Sequence, residues 1–183
     1  MKIFKQITSI VMAVAMAATI IAVNPVDASA KVTIKSGKKI ALTVGKKTTI
    51  KVKQKGAKFT SSNKKIATVT KKGKVTAKRP GACKIVVKVG KSKKRVPVTV
   101  TPPNITIDKA KNASDKGIEV MWEKSGNRYI TGYYVYYSTN AKRGFKSVKV
   151  GNVSRTKIDN LTVGKTYYFK VKAYSKVGKK IYT

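Results

Sequence analysis

Residues 61–81 read SSNKKIATVTKKGKVTAKRPG. Two short β-branched runs, Ile66-Ala67-Thr68-Val69-Thr70 and Lys74-Val75-Thr76-Ala77, flank Gly73, and each alternates apolar with polar side chains. A period of two on both sides of a glycine is the pattern of two strands joined by a tight turn. The same alternation recurs in Thr48–Lys53, in Cys83–Val89 and in Val96–Val100. Glycines at 45, 56, 73, 81 and 90 punctuate these runs about every ten residues, the spacing of an antiparallel sandwich. Pro97 has no amide proton for a ladder, so its strand is expected at an edge or at a bulge. Beyond residue 30 no stretch carries a helical period.

Farther along, aromatics take over the same logic. Ile118, Val120 and Trp122 fall on one face of a strand, and Tyr133, Val135 and Tyr137 on one face of the next. Tyr167, Phe169, Val171 and Ala173 share a face of a third, which completes the core of a second sandwich. Thr101-Pro102-Pro103-Asn104 interrupts the strand pattern between the two halves, as a stiff linker does. The expected organisation is all-β. Residues 31–101 are expected to form one sandwich, 102–104 a proline-rich linker and 105–183 a second sandwich. Its last strand, within Lys179–Thr183, is a stub beside an edge that is open or covered by something else.

Residues 1–30 read as a signal peptide. Lys2 and Lys5 precede an apolar run from Ile7 to Val23, then Asn24-Pro25, then the small residues Ala28 and Ala30 placed two apart before Lys31. The competing reading is an uncleaved anchor, because the run nearly suffices to span a bilayer. No later segment is apolar enough to do so, and the expected location is secreted, associated with the cell surface.

Both halves resemble known families. Phe59-Thr60-Ser61-Ser62-Asn63, Ile66-Ala67-Thr68-Val69, Gly73, Val75-Thr76-Ala77 and Gly81-Ala82-Cys83-Lys84-Ile85 resemble the bacterial immunoglobulin-like domains of group 2, with Phe59 where those domains often carry tryptophan. Trp122, Ile130-Thr131-Gly132-Tyr133, Val135, Tyr137, Leu161, Gly164, Tyr167, Phe169, Val171 and Ala173 resemble a fibronectin type III domain. Leu161 and Tyr167 match its tyrosine corner, in which the hydroxyl bonds to upstream backbone. The resemblance implies a bacterial surface or secreted protein acting as an adhesion module, a spacer or a carbohydrate-associated accessory. Fold alone does not choose among these.

Chemistry narrows the choice. The chain has no histidine, so the commonest general base and metal ligand are both missing. After residue 30 the acids are Asp108, Asp115, Glu119, Glu123 and Asp159. Glu119 and Glu123 are four apart on a strand, about 13 Å, too wide for a glycosidase pair, and read as partners for nearby lysines. No catalytic residue, metal ligand or cofactor site is assigned. Cys83 falls in phase with Ile85 and Val87, as a small core side chain or, failing that, a route to an intermolecular disulfide.

Charge carries the functional reading. From Lys31 to Pro103 there are 23 Lys and Arg and no Asp or Glu; from Asn104 to Thr183 there are 17 basic and 5 acidic residues. Lysine on exposed strands blocks edge pairing, but mixed signs would do so without self-repulsion. Three groups are therefore candidates for holding a polyanion: Lys51, Lys53 and Lys55 on one strand, Lys71, Lys72 and Lys74 around a turn, and Lys91, Lys93, Lys94 and Arg95 around another. In the second half, Tyr134, Tyr136, Tyr168, Lys170, Lys172 and Tyr174 face away from the core on neighbouring strands. They form either an aromatic and basic patch suited to sugars or bases, or ordinary cross-strand packing or burial against the first domain. The expectation is a non-catalytic binding or adhesion module held on anionic cell-wall polymers or glycans. An extracellular nucleic-acid binder and a purely structural spacer are the alternatives.

Overall fold

The computed structural model describes residues 31–35 and 39–183. The signal reading of residues 1–30, with Ala28 and Ala30, lies outside them; Lys31 is described and exposed. Fourteen strands and no helix make up the described residues, so none of their segments is a helix able to cross a membrane.

The first domain holds β1 (Ile40–Thr43), β2 (Lys47–Thr49), β3 (Lys58–Ser61), β4 (Ala67–Val69), β5 (Lys74–Ala77), β6 (Gly81–Val89) and β7 (Ser92–Thr101). One sheet runs β1-β7-β6-β3 and the other β2-β5-β4. Val75 and Ala77 of one sheet meet Ile85, Val87, Val96, Val98 and Val100 of the other in a dry aliphatic core. Each such side chain is worth about 1.5–3 kcal/mol of burial.

Gly73 allows the turn predicted at 71–74. Its φ of +78° belongs to the left-handed region, and a Cβ there would lie 2.6 Å from the Ile50 carbonyl oxygen and 3.0 Å from the Phe59 ring. The Ile50 amide donates to the Gly73 carbonyl at 2.9 Å.

Two sequence expectations need correction here. β2 ends at Thr49, and residues 51–55 do not continue it as a regular strand. A single bridge, Ile34 to Val52, holds that stretch beside residues 33–35, with Val52 half-buried between exposed Lys51 and Lys53. Pro97 lies in β7, which is not an edge strand throughout, since β6 pairs on one side and β1 on the other. The parallel partner β1 starts opposite Val98, so Pro97 stands just before the doubly paired stretch. Its missing amide proton thus breaks no described ladder.

The second domain holds β8 (Ile107–Ser114), β9 (Gly117–Trp122), β10 (Gly132–Ser138), β11 (Lys146–Val150), β12 (Arg155–Ile158), β13 (Tyr168–Val177) and β14 (Lys180–Tyr182). Its sheets run β12-β9-β8 and β11-β10-β13-β14. All ten core side chains read from the sequence pack together, with the Trp122 and Tyr133 rings 5.4 Å apart and tilted by 57°. Tyr167 closes the tyrosine corner, its hydroxyl oxygen accepting from the Thr162 amide at 3.0 Å. That bond favours the phenolate and lowers the Tyr167 pKa. The stub β14 pairs with Ser175–Val177 only, and below it the linker fills one position of the same edge through a bridge between Asn104 and Lys172.

The linker is pinned at both ends. The Val44 amide donates to the Thr101 carbonyl at 3.0 Å, and Asn104 is bridged to β13, which leaves Pro102 and Pro103 between. A fixed φ at each proline leaves little freedom for the domains to swing.

Candidate functional site

Side-chain alternation sends every second residue of β3, β6 and β7 outward, and the register of these strands decides which of them meet. Lys58 lies opposite Lys88, and Lys88 opposite Lys93. Three lysines therefore form one row across three strands, with neighbouring Cβ atoms about 4.5–5.5 Å apart. Arg95 and Lys84 continue the same face toward the linker, opposite Val86 and Pro97. With no Asp or Glu between residues 31 and 103, nothing in the domain neutralises this row. The ion pairs among the described residues are Lys111–Glu119 at 3.4 Å and Lys157–Asp159 at 3.0 Å, both in the second domain.

The three lysine groups singled out in the sequence come together at one pole. The bond from Ile50 to Gly73 joins the stretch carrying Lys51, Lys53 and Lys55 to the turn carrying Lys71, Lys72 and Lys74. The Thr33 amide donates to Gln54 Oε1 at 3.1 Å, and Lys31 and Val32 line a shallow groove with Ser92, Lys93 and Lys94. The β6–β7 hairpin, with Lys91 at its turn, thus meets the other two groups at the end of the sandwich opposite the linker. Lys94 departs from its group. It is in phase with Val96 and Val98, opposite inward Val87, so its stem is half-buried on the core side while Lys93 and Arg95 face out. Lys58, Lys84 and Lys88 were not singled out in the sequence, because only the pairing of β3, β6 and β7 places them beside Lys93 and Arg95.

In the second domain β10 and β13 are neighbours, as expected, with Tyr134 opposite Lys172 and Tyr136 opposite Lys170. Tyr174 is not part of an exposed patch, since only 6% of it is accessible. The reason is its cross-strand partner, Gly132, which has no side chain and lets the ring sink onto the backbone. A Cβ on Gly132 would meet Tyr174 Cε1 and Oη at 2.8 Å, and the Val150 carbonyl oxygen more closely still. Tyr134 stacks on Tyr174 at 5.1 Å, and Lys149 of β11 covers both, 4.8 Å from the Tyr174 centroid. What remains open is a smaller surface. Lys170 Nζ lies 3.9 Å from the Phe145 centroid, Lys172 Nζ lies 5.8 Å from that of Tyr136, and Tyr168 is 44% exposed. Lys149 of β11 and Phe145, which precedes that strand, join the patch, and the alternation of β11 alone did not reveal its partner.

Cys83 and Glu119 have partners within the fold. Cys83 is buried beside Ser61, and burial pushes its thiol pKa up. Glu119 lies opposite Lys111 and Lys157 on the flanking strands, a structural partner as expected. Among the described residues no three His, Cys, Asp or Glu side chains cluster closely enough to hold a metal ion.

This geometry defines a class: tandem β-sandwich modules presenting charged and aromatic sheet faces. The comparisons with known proteins specify which modules. The family model of the bacterial Ig-like domain (group 2) matches residues 22–100, and that of the fibronectin type III domain matches residues 100–183. The chain is a bacterial Ig-like domain followed by a fibronectin type III domain. The first match begins ahead of Lys31, where the sequence reading placed the start of the domain.

Both kinds of module are common in extracellular proteins and are typically non-catalytic. Among curated proteins nothing matches. Among solved structures, a two-domain fibronectin type III segment of chicken tenascin is 12% identical, with 84% of this chain and 93% of that one covered and a TM-score of 0.50. The fibronectin type III domain of human contactin 1 is 21% identical over 39% of this chain and 64% of its own, with a TM-score of 0.35. The three-domain chicken contactin segment is 15% identical over 77% and 57%, with a TM-score of 0.36. The chain thus spans less than two thirds of either contactin structure, and the tenascin likeness shows the fold alone.

Proposed function

We propose that this protein is a secreted, non-catalytic binding module held on anionic polymers of the bacterial envelope, wall phosphate polymers or acidic glycans, by the cationic face and pole of its first domain. The observation that carries this reading is the in-register row Lys58–Lys88–Lys93, unneutralised in a domain without a carboxylate. Like charges placed directly opposite destabilise a sheet. A partner that supplies the missing negative charge removes that repulsion and releases its own counterions, so retention falls steeply with salt. Lysines act here as a dispersed field of point charges, which tolerates many polymers.

The test is retention of the chain on purified cell walls, with and without their anionic polymer, across a salt series. Binding at low salt that disappears when the polymer is stripped supports the reading. Equal retention on stripped walls, or none at low salt, refutes it, and the latter result favours a structural spacer. Duplex DNA added as competitor separates wall polymers from nucleic acid. A second contact, with sugar rings, is favoured by the Phe145, Tyr136 and Tyr168 surface beside Lys170 and Lys172. Aromatic faces interleaved with cations provide stacking that survives salt.

A further inference from the structure

Two guanidinium groups, one from each domain, converge on a single phenol. Arg79 follows β5 in the first domain, and its Cζ lies 5.5 Å from the centroid of the Tyr129 ring. Arg128 stands beside Tyr129 in the segment between β9 and β10; its Cζ lies 5.3 Å from the same centroid, and its Nη2 donates to Tyr129 Oη at 3.4 Å. Both strands of this contact are anchored. The Tyr129 carbonyl accepts from Ser175 Oγ at 2.6 Å and its amide donates to Asn127 Oδ1 at 2.9 Å. On the other side the Arg79 amide donates to the Ile66 carbonyl at 3.3 Å, next to buried Pro80. Neither guanidinium takes part in an ion pair with a carboxylate among the described residues.

Both guanidiniums therefore lie against one ring, and both act on the Tyr129 hydroxyl. We propose that Arg79, Arg128 and the Tyr129 hydroxyl form a phosphate-binding site at the domain junction, filled by a phosphodiester of a polymer or by free phosphate. A carboxylate has two oxygens, and one guanidinium fork uses both. A phosphate, the diester included, sets its charged oxygens around a tetrahedral centre, so each of two can accept from a different fork while the hydroxyl donates to one of them. The Tyr129 hydroxyl already shows the field of the site. Its pKa is lowered, first by the bond from Arg128 and the charge of Arg128, with Arg79 adding in the same direction. A field that favours a phenolate oxygen favours any oxyanion at that place. The site is distinct from the lysine row, which lies on the outer face of the β1-β7-β6-β3 sheet, and it rests on arginine geometry rather than on total charge.

The test uses substitutions that keep the charge and remove the fork. The full chain is titrated with inorganic phosphate and, separately, with dimethyl phosphate, at ionic strength held constant with sodium chloride, and backbone amide shifts are followed by NMR. A saturable response at Arg79 and at Arg128–Tyr129 is expected, weakened at least tenfold in Arg79→Lys and again in Arg128→Lys, with the melting temperatures of both domains unchanged. Saturation by dimethyl phosphate identifies a phosphodiester as an acceptable ligand; saturation by inorganic phosphate alone restricts the site to free phosphate. Arg79→Lys is the decisive variant, because a site confined to the second domain would ignore it. The proposal is overturned if either lysine variant binds like the parent chain, or if neither probe gives a saturable shift at these residues.

Discussion

Lys88→Glu should stabilise the first domain and weaken its hold on polyanions at the same time. Lys88 stands between Lys58 on β3 and Lys93 on β7, directly opposite both. The substitution turns two like-charge pairs into two opposite-charge pairs on the outer sheet face. Cross-strand pairs contribute roughly 0.2–1 kcal/mol each, and exposure keeps them near the lower half of that range. Two pairs at about 0.5 kcal/mol give about 1 kcal/mol in dilute buffer. For a domain of this size that is about 4–8 °C in melting temperature. Lys88→Gln, which removes repulsion without adding attraction, should give about half. In roughly 1 M salt the screening length falls to about 3 Å and the gain should disappear. Circular dichroism follows both domains, whereas emission from Trp122, the only tryptophan, reports the second, so the transition silent in emission belongs to the first. Retention on an anionic surface should move the other way, dropping as stability rises. A Lys88→Glu domain that melts no higher at low salt, or one whose gain persists in 1 M salt, would refute the claim that this row is a locus of unrelieved repulsion.

Three further outcomes follow from the geometry. Tyr167→Phe removes the acceptor of the Thr162 amide and should lower the melting temperature of the second domain, which thermal unfolding followed by Trp122 emission measures. Because the folded pKa of Tyr167 lies below the ordinary value of 10.0, this contribution is smallest below the folded pKa and grows as pH rises toward 10, so the gap between parent and variant should widen over that window; a constant gap would show that the bond does not distinguish phenolate from phenol. Gly132→Ala should cost about 1–3 kcal/mol by chemical denaturation, and adding Tyr174→Ala should not restore it, because the Val150 carbonyl still blocks the new Cβ. Cys83 should react with a thiol reagent at pH 8 on the order of 10³-fold more slowly in the folded chain than in denaturant, since burial both shields the sulfur and raises its pKa.

The fold was legible because its rules are local. Alternation placed Val75, Ala77, Ile85 and Val87 inward without knowledge of any partner strand, and the spacing of Leu161 and Tyr167 announced the tyrosine corner. The site was legible only in part, because it depends on which strands are neighbours and in what register. Lys58 and Lys88 were not singled out in the sequence, and only the β3–β6–β7 pairing sets them in a row. Alternation gives the side of a sheet but not the depth of a ring. Tyr174 was assigned to the correct face, yet the hollow over Gly132 buries it. Lys94 was grouped by its nearness to a turn although its phase with Val96 already pointed it inward. The contact of Arg79 with Tyr129 joins two domains, and no local pattern could announce it.

The cationic pole stands far from the carboxylates of the second domain. The nine-residue β6 runs from the linker end of the first sandwich to the pole, and at about 3.3 Å per residue that separates the pole from the junction by roughly 30 Å. This is about three screening lengths at 0.1 M ionic strength. Among the described residues the Asp and Glu side chains belong to the second domain, across the linker, where Glu119 and Asp159 are engaged with Lys111 and Lys157. The prolines between Thr101 and Asn104 and the pinned linker ends prevent the second domain from folding back to bring them closer. These carboxylates are thus out of reach of the row Lys58–Lys88–Lys93. The stiff junction then holds the aromatic surface of β10 and β13 at a set distance from the pole.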